Sequence, residues 1–181
     1  MPVPFLPTRF LFGAAGLAML TACAHGASDE GAIAQSASQG PVTSAVASPL
    51  AASTSRRSAR PFGETVTAAR AAIDKRGFKT FAVIDHAKGA ASIDAVLNPT
   101  TLIIFGNPKG GTPLMQESQT AGLDLPLKML VIERSDGAVD LVWTPMQTIA
   151  ARHAITGQSG RIEKVSSALH AIAAEASGIA P

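Results

Sequence analysis

The sequence predicts an α+β domain in which helices pack on an antiparallel sheet of about four strands. Several short runs are rich in β-branched and aromatic residues, as half-buried strands are. Other segments repeat apolar residues every three or four positions, which is typical of amphipathic helices. One tight hairpin and no regular alternation of strand and helix favour an antiparallel sheet over a parallel one.

The sequence of the first half of this domain predicts two helices and two strands. Residues 64–76 carry apolar side chains at helical spacing and end at Gly77, a suitable glycine cap. Residues 78–85 alternate as a strand does, and residues 87–92 suit a short helix. Residues 101–105 form an apolar strand that runs into a loop of Gly, Asn, Pro and Lys.

The second half begins with a helix that Thr112 could cap and that continues to Gln119. Residues 127–134 and 138–143 are two strand-like runs, joined by a segment whose Asp-Gly pair favours a tight hairpin turn. Two further helices are expected. One begins at Pro145 and reaches about residue 153, and the other covers residues 161–176.

The N-terminus has the pattern of a bacterial lipoprotein export signal. Arg9 precedes an apolar stretch over residues 10–20, which is too short to span a bilayer. Small residues then lead to Cys23, the one cysteine of the chain, whose thiol would carry the lipid. The alternative is an ordinary secreted protein with a cysteine beside the cut by chance. Ala24 follows the cysteine and resembles the pattern sorted to the outer membrane, facing the periplasm.

The chain divides into a signal peptide over residues 1–22, a lipidated disordered tether over 23–60 and one α+β domain over 61–177. The tether is nearly all small and polar residues and could not bury enough apolar surface to fold. Within it, Arg56 and Arg57 suggest a solvated basic spot. The mature chain would have a net charge of about +1, because the signal removes one base and no acid. Such balance argues against nucleic-acid binding.

Several motifs in the domain resemble the domain of unknown function family 302. They are FAVIDHA at 81–87, PTTLIIFGNP at 99–108, GTPLM at 111–115, LDLPLK at 123–128 and the pair Arg152-His153. The resemblance covers about residues 62–155. It implies an α+β fold with a curved antiparallel sheet, often found as a dimer, and it implies no established reaction.

Histidines are the first candidates for chemistry. His86 and His153 could meet in space and, with Asp85 or Asp124, form an acid/base or metal cluster. Their spacing matches no standard metal signature, and a lone cysteine leaves no thiolate site. The structural alternative is that His86 caps backbone groups while Arg152 bonds a carboxylate.

The loop over residues 106–112 is the second candidate. Its glycines and the following helix could bind an anion through backbone N–H groups, with charge from Lys109, Lys128 and Arg152. The loop lacks the lysine of a phosphate-binding motif, since Thr112 stands at that position. The alternative is a tight connection in which Pro108 and the glycines serve backbone geometry only.

The leading hypothesis is a membrane-anchored envelope domain, without enzymatic activity, that binds a small ligand or a partner. Its candidate binding residues are His86, Asn107, Lys128, Arg152 and His153. No cofactor and no metal are expected. The expected partners are the bilayer, through acylated Cys23, a small anionic ligand and a second copy of the chain. The alternatives are a hydrolytic or metal-dependent enzyme that uses His86 and His153, and a structural dimerisation module.

Overall fold

Residues 53–179 are described by the computed structural model. The strands are β1 (Thr54–Arg57), β2 (Lys79–Asp85), β3 (Thr100–Gly106), β4 (Leu127–Glu133) and β5 (Val139–Trp143). The helices are α1 (Phe62–Lys75), α2 (His86–Ala91), α3 (Pro108–Glu117), α4 (Met146–Arg152) and α5 (Ser159–Ser177), and a 3₁₀ turn covers Gln119–Leu123. The predicted signal peptide and the lipidation residue Cys23 lie outside the described residues.

The strands form one sheet in the order β1-β5-β4-β3-β2, and every neighbouring pair is antiparallel. This confirms the α+β class and the predicted hairpin between β4 and β5. Gly137 adopts the left-handed conformation in that turn, with a φ of 80°. The Arg134 N–H donates to the Ala138 carbonyl at 2.8 Å and closes the hairpin.

The sheet has five strands where about four were predicted, because β1 lies in the segment assigned to the tether. That assignment is wrong for its last residues, and the folded part begins by residue 54. Arg57 remains exposed, as a solvated basic residue would be, but both arginines have partners within the chain. Arg56 donates to the Ser177 hydroxyl at 3.0 Å and the Ile179 carbonyl at 2.7 Å, while Arg57 pairs with Asp140 at 2.8 Å. These partners lie far away in sequence, so local composition gives no sign of them.

Helix α3 begins at Pro108, earlier than the predicted start at Thr112. The Asn107 side chain caps it by accepting from the Lys109 N–H at 2.9 Å. Gly110 and Gly111 therefore lie inside the helix, and both of their N–H groups donate to the Asn107 carbonyl. The cap Asn107, one residue before Pro108, prevailed over Thr112, which lies five residues later. Proline at the first helical position loses no helical hydrogen bond, because its missing N–H would have no partner there.

One face of the sheet is covered by α1 and α5, which also pack against each other. Alternate residues of β3 and β4 point to this face and are buried, while their neighbours, apart from Gly106, are not. The core combines both layers, and its members include Ala69, Ala72, Ile73, Ile103, Phe105, Met129, Val131, Leu141, Leu169 and Ile172. Helices α3 and α4 and the 3₁₀ turn gather at the end of the sheet where β3 finishes and β4 starts, whereas α2 lies at the opposite end, after the last residue of β2.

The contact between β1 and the sheet can be tested at Asp140, which is buried on β5 and accepts from Arg57 and Arg134. We expect Asp140→Asn to lower the free energy of unfolding by about 1–2 kcal/mol, since a charge-assisted acceptor is lost. Urea denaturation measures this change. Asp94→Asn is the control: Asp94 is exposed at a φ of 57°, which asparagine tolerates. Equal losses in both variants would contradict the role of Asp140.

Candidate functional site

A cleft opens where β3 ends, between α3, the start of β4 and the helices α4 and α5. Its volume is about 320 Å³. Large apolar side chains form most of its wall, and they are Phe78, Phe81, Leu114, Met115, Leu125, Pro126, Leu127, Met146 and Val165. Backbone from Gly106, Gly110, Gly111 and Gly122 lines the rest. The cleft is the size of a small-molecule site, and apolar lining is usual in such sites.

No charged side chain lines this cleft within residues 53–179. Asn107 and Thr112 are the polar side chains on its wall. An ionised ligand buried here would lose its hydration without gaining a counter-charge, which is costly. The lining therefore favours an uncharged ligand.

Gly106 allows the two sides of the cleft to approach each other. A Cβ at this position would lie 3.4 Å from the Phe81 ring and 3.4 Å from the Pro126 Cβ. Both distances lie at the lower limit of ordinary van der Waals contact, so little room is left for a side chain between Phe81 and Pro126. Pro126 follows a cis peptide bond with Leu125. The glycine that ends β3 thus serves packing around the cleft.

Beside the cleft lies a hydrogen-bonded row, which we call the Asp124 cluster and which comprises Thr120, Asp124, Arg152 and His153. The Arg152 guanidinium donates to both Asp124 oxygens at 2.9 and 2.8 Å. The His153 Nε2 lies 2.8 Å from Asp124 Oδ2, and its Nδ1 lies 2.9 Å from the Thr120 hydroxyl. If Nε2 carries the proton of the neutral ring, Nδ1 accepts from Thr120.

The Asp124 cluster holds a wall of the cleft in place. Gly122, Leu125 and Pro126 line the cleft on either side of Asp124, and the cluster ties this segment to the last turn of α4 and the residue after it. The first residue of α4, Met146, lines the cleft as well. Both nitrogens of the buried His153 are occupied, so the ring has none left for a ligand in the cleft. The cluster therefore suits positioning better than acid/base chemistry.

Charge within the cluster is arranged around one carboxylate. Partial burial opposes ionisation of Asp124, but hydrogen bonds from His153 and Arg152 prevail and hold its pKa below the ordinary value of 3.8. A carboxylate that accepts several hydrogen bonds behaves in this way. Asp124 therefore stays ionised and bonded to α4 well into the acid range.

A second carboxylate anchors the opposite wall. The Glu117 side chain, at the end of α3, accepts from the N–H groups of Thr156 and Gly157 at 2.7 and 2.8 Å. These backbone bonds, from Gly157 first and Thr156 second, lower the pKa of Glu117. Helix α3 is thereby fixed to the loop that joins α4 to α5.

The residues proposed from the sequence fall into two groups. Arg152 and His153 meet in the Asp124 cluster, and Asn107 lies on the cleft wall. Lys128 is exposed nearby, and its ammonium donates to the carbonyls of Asp124 and Pro126. Its charge and that of Arg152 already have partners within the chain.

His86 does not join this group. It begins α2 after the far end of β2, whereas Lys79 at the other end of β2 pairs with Gly106 beside the cleft. Seven residues of extended strand, about 20 Å, lie between those ends. The hypothesis that His86 and His153 cooperate directly is therefore wrong. Asp85 is not a partner for His153 either, since it caps α2 through the Lys88 N–H.

The anion loop expected over residues 106–112 is also not formed. Its glycine N–H groups serve the first turn of α3, as described above, and Asn107 donates from its amide to the Gly77 carbonyl at 3.0 Å. Among residues 53–179, no group of three or more His, Cys, Asp or Glu side chains is placed to hold a metal ion. Thr120 was missed from the sequence, because a threonine in a short polar turn gives no sign of its distant histidine.

The chain belongs to the family described as "Domain of unknown function DUF302", whose model matches residues 54–176. A crystal structure of an uncharacterized conserved DUF302 protein from Bacillus stearothermophilus has the same fold. The TM-score is 0.64 at 13% sequence identity, over 69% of this chain and 98% of that one. The start of the match at residue 54 agrees with β1 as the first element of the domain.

Curated relatives match at higher identity but over part of their length. Two are named "Fluoride-specific ion channel FluC 1", one from Brucella suis biovar 1 (strain 1330) and one from Brucella abortus biovar 1 (strain 9-941). Each is 39% identical over 115 residues, which is 64% of this chain and 44% or 42% of the relative. The chain thus spans less than half of either relative. None of the helices within residues 53–179 is long and apolar enough to cross a membrane.

We expect Asp124→Asn to lower the free energy of unfolding by about 1 kcal/mol at neutral pH, since the charge-assisted bonds weaken but are partly solvent-screened. The pH dependence gives a second test. Because the folded pKa of Asp124 is lowered, its stabilisation is present above pH 3.8 and is lost as pH falls through the folded pKa. Thermal melts should therefore show a shallower loss of stability in acid for the variant.

Asp136→Asn is the control, because Asp136 lies in the hairpin turn away from the cluster and accepts from the Ala138 N–H. It should keep the acid dependence contributed by Asp124. Parallel profiles for the wild type and Asp124→Asn below pH 4 would contradict the assignment.

Proposed function

We propose that this chain is an envelope lipoprotein whose DUF302 domain binds a small, uncharged, largely apolar molecule in the cleft beside α3. The observation that carries the proposal is the cleft itself, about 320 Å³ in volume and lined by apolar side chains with Asn107 and Thr112 as its polar ones. Asn107 would be the residue nearest to specific recognition, although its oxygen and one N–H already serve the protein.

Binding without catalysis fits the arrangement of the polar groups. His153, beside the cleft, has both ring nitrogens occupied, and Arg152 is engaged by a carboxylate. The site therefore offers a shaped apolar volume and a few neutral hydrogen-bonding groups. This chemistry favours a neutral ligand over the small anion expected from the sequence.

The proposed localisation is the periplasmic side of the outer membrane. A lipid on Cys23 would anchor the chain there. Its support is the order of the first 23 residues: one base, a short apolar stretch and small residues before a cysteine. Multiple acyl chains would anchor the chain stably. No nucleic-acid partner is proposed, because the net charge of the mature chain is about +1.

Channel activity is not part of the proposal. The name "Fluoride-specific ion channel" belongs to relatives of which this chain spans less than half. The shared segment of 115 residues is somewhat shorter than the family match over residues 54–176 of this chain.

Ligand binding can be tested by filling the cleft. Gly111 lies in α3 on the cleft wall, and a Cβ there would lie 3.7 Å from the Leu125 side chain, an ordinary contact. Leucine favours helix over glycine, so Gly111→Leu should fold. We expect it to weaken binding of the neutral probe N-phenyl-1-naphthylamine by about tenfold or more, a cost of about 1.4 kcal/mol. Fluorescence titration of the chain carrying Cys23→Ser, without detergent, measures it.

Gly89→Leu is the matched control, because Gly89 lies in the short helix α2, away from the cleft. A Cβ there would meet no atom of residues 53–179 within 4 Å, apart from its chain neighbours and its own helix. This variant should bind the probe as the parent does. An anionic naphthalene sulfonate of similar size should bind more weakly than the neutral probe. Equal affinity of Gly111→Leu and its parent would refute the cleft as the site.

The lipid anchor has its own test. In cells given radiolabelled palmitate, the wild-type chain should be labelled and should enter the detergent phase of a Triton X-114 partition. Cys23→Ser should lose the label and move to the aqueous phase, because the thiol is the attachment point. Label retained on Cys23→Ser would contradict the lipoprotein assignment.

A further inference from the structure

The entrance to the cleft carries apolar side chains that are exposed to water. Phe81, on the cleft wall, is 49% exposed, and the Lys79 ammonium lies 5.8 Å from the centre of its ring. Leu123 ends the 3₁₀ turn directly after Gly122, which lines the cleft, and is 80% exposed. Large apolar side chains exposed beside an apolar cleft favour an apolar surface as the partner of this entrance.

Lysines surround the same entrance. Five charged residues directly adjoin a lining residue in the sequence, and four of them are exposed lysines. The lysines are Lys79, Lys109, Lys128 and Lys164. None of them forms an ion pair within residues 53–179. The fifth residue, Asp124, is bound by Arg152 and His153, so the entrance has an excess of positive charge. We call Phe81, Leu123 and the four lysines the basic mouth.

The opposite end of the sheet is rich in carboxylates. Four acidic residues lie there, none of them with an ion pair in the part of the chain that the structure describes. They are Asp85, Asp94, Glu133 and Asp136. Arg57 and Arg134, at the same end, both pair with Asp140. A negatively charged surface would therefore attract the basic mouth more strongly than this end.

A second group of exposed aliphatic side chains lies at that acidic end. Ile93 is 75% exposed, Val96 is 99% exposed and Leu97 is 46% exposed, in the loop between α2 and β3. Asp94 lies among them, and no lysine does. Exposed apolar groups thus occur at both ends, and the lysines distinguish the basic mouth.

The chain also enters the domain from the side of the cleft. Thr54, the first residue of β1, pairs with Trp143, the last residue of β5. Strand β5 is antiparallel to β4, so it finishes at the end of the sheet where β4 starts, which is the end with the cleft. The connection towards Cys23 therefore joins the domain at the end that carries the basic mouth.

We infer that the basic mouth binds the surface of a bilayer that contains anionic lipids. The lysine ammonium groups meet the lipid phosphates, and Leu123 and Phe81 enter the apolar layer beneath them, as in other proteins that lie on membranes. The cleft then opens towards the bilayer, and an apolar ligand passes between the two without crossing water. The inference rests on the proposed envelope location, to which it adds a second contact besides the lipid on Cys23.

Cosedimentation with vesicles tests the inference. The sample is the chain from residue 23 onward with Cys23→Ser, which has neither the apolar signal segment nor a lipid. It should bind vesicles of equal parts phosphatidylcholine and phosphatidylglycerol at least about tenfold more tightly than vesicles of phosphatidylcholine alone, since lysines near an anionic surface add to binding. Added salt should remove most of this difference. Equal binding to both kinds of vesicle would overturn the inference.

Paired variants locate the contact. Lys79→Gln with Lys109→Gln should weaken binding to the mixed vesicles by about tenfold or more. The matched control is Arg70→Gln with Lys88→Gln, which removes the same charge from exposed positions of α1 and α2 that adjoin no lining residue. It should bind as the parent does. Equal weakening in the two pairs would show that only net charge matters and would overturn the inference.

The apolar contact has a pair of its own. Leu123→Ser should weaken vesicle binding by about fivefold or more, because a leucine is no longer buried in the bilayer. Val96→Ser is its control at the acidic end and should bind as the parent does. Circular dichroism melts establish that each variant is folded, and Leu123→Gln replaces Leu123→Ser if that variant is not. A folded Leu123 variant that binds as tightly as Val96→Ser would contradict insertion of the basic mouth.

Titration of the same parent chain with N-phenyl-1-naphthylamine, without vesicles, separates this inference from the proposed ligand site. Binding of the probe without binding of mixed vesicles would overturn the inference and leave the ligand site in place. Binding of mixed vesicles without binding of the probe would support the membrane contact and count against the ligand site.

Discussion

Burial of one face of the sheet under α1 and α5 is the constraint on which the rest of the structure depends. Both helices contribute fully buried small residues to the core, such as Ala69, Ala72 and Ala173. Salt bridges from Lys75 and Arg76 to Glu175 tie the helices to each other at their solvent edge. Strand β1 joins this two-layer unit at an edge of the sheet, and the shorter helices join it at the ends of the strands.

The cleft results from that arrangement. Helices α1 and α5 cover the middle of the sheet, and the connection from β3 to β4 must then pass around the end of the core. It does so as α3, the 3₁₀ turn and the segment that contains Pro126, and a gap lined by apolar side chains remains beneath it. Polar groups act at the rim. Asp124 binds His153, directly after α4, and Glu117 binds the N–H of Thr156 in the loop between α4 and α5. These bonds fix the positions of the two walls of the cleft.

Membership of the DUF302 family and the likeness to the Bacillus stearothermophilus structure agree on the architecture. At 13% identity, that likeness concerns the fold alone. The curated Brucella relatives share a segment of 115 residues at 39% identity within longer chains. The family match over residues 54–176 covers the whole sheet and nearly all of both helices that pack on it.

The sequence by itself determined the elements whose signals are local. The helical spacing before Gly77, the alternation in β2 and the Asp-Gly turn between β4 and β5 each depend on neighbouring residues, and each was predicted. Arg152 and His153 were also singled out, as residue types with useful chemistry.

Tertiary structure decided what depends on distant partners. Strand β1 is short and polar, and its place in the sheet comes from backbone pairing with β5 and from Asp140, 83 positions after Arg57. His153 meets Asp124 and Thr120 across 29 and 33 positions, while His86 is carried to the opposite end of β2. Composition and periodicity report which residues are apolar and how they repeat. They do not report which ends of the strands are brought together. That arrangement places His153 beside the cleft and His86, a residue of the same type, at the far end of β2.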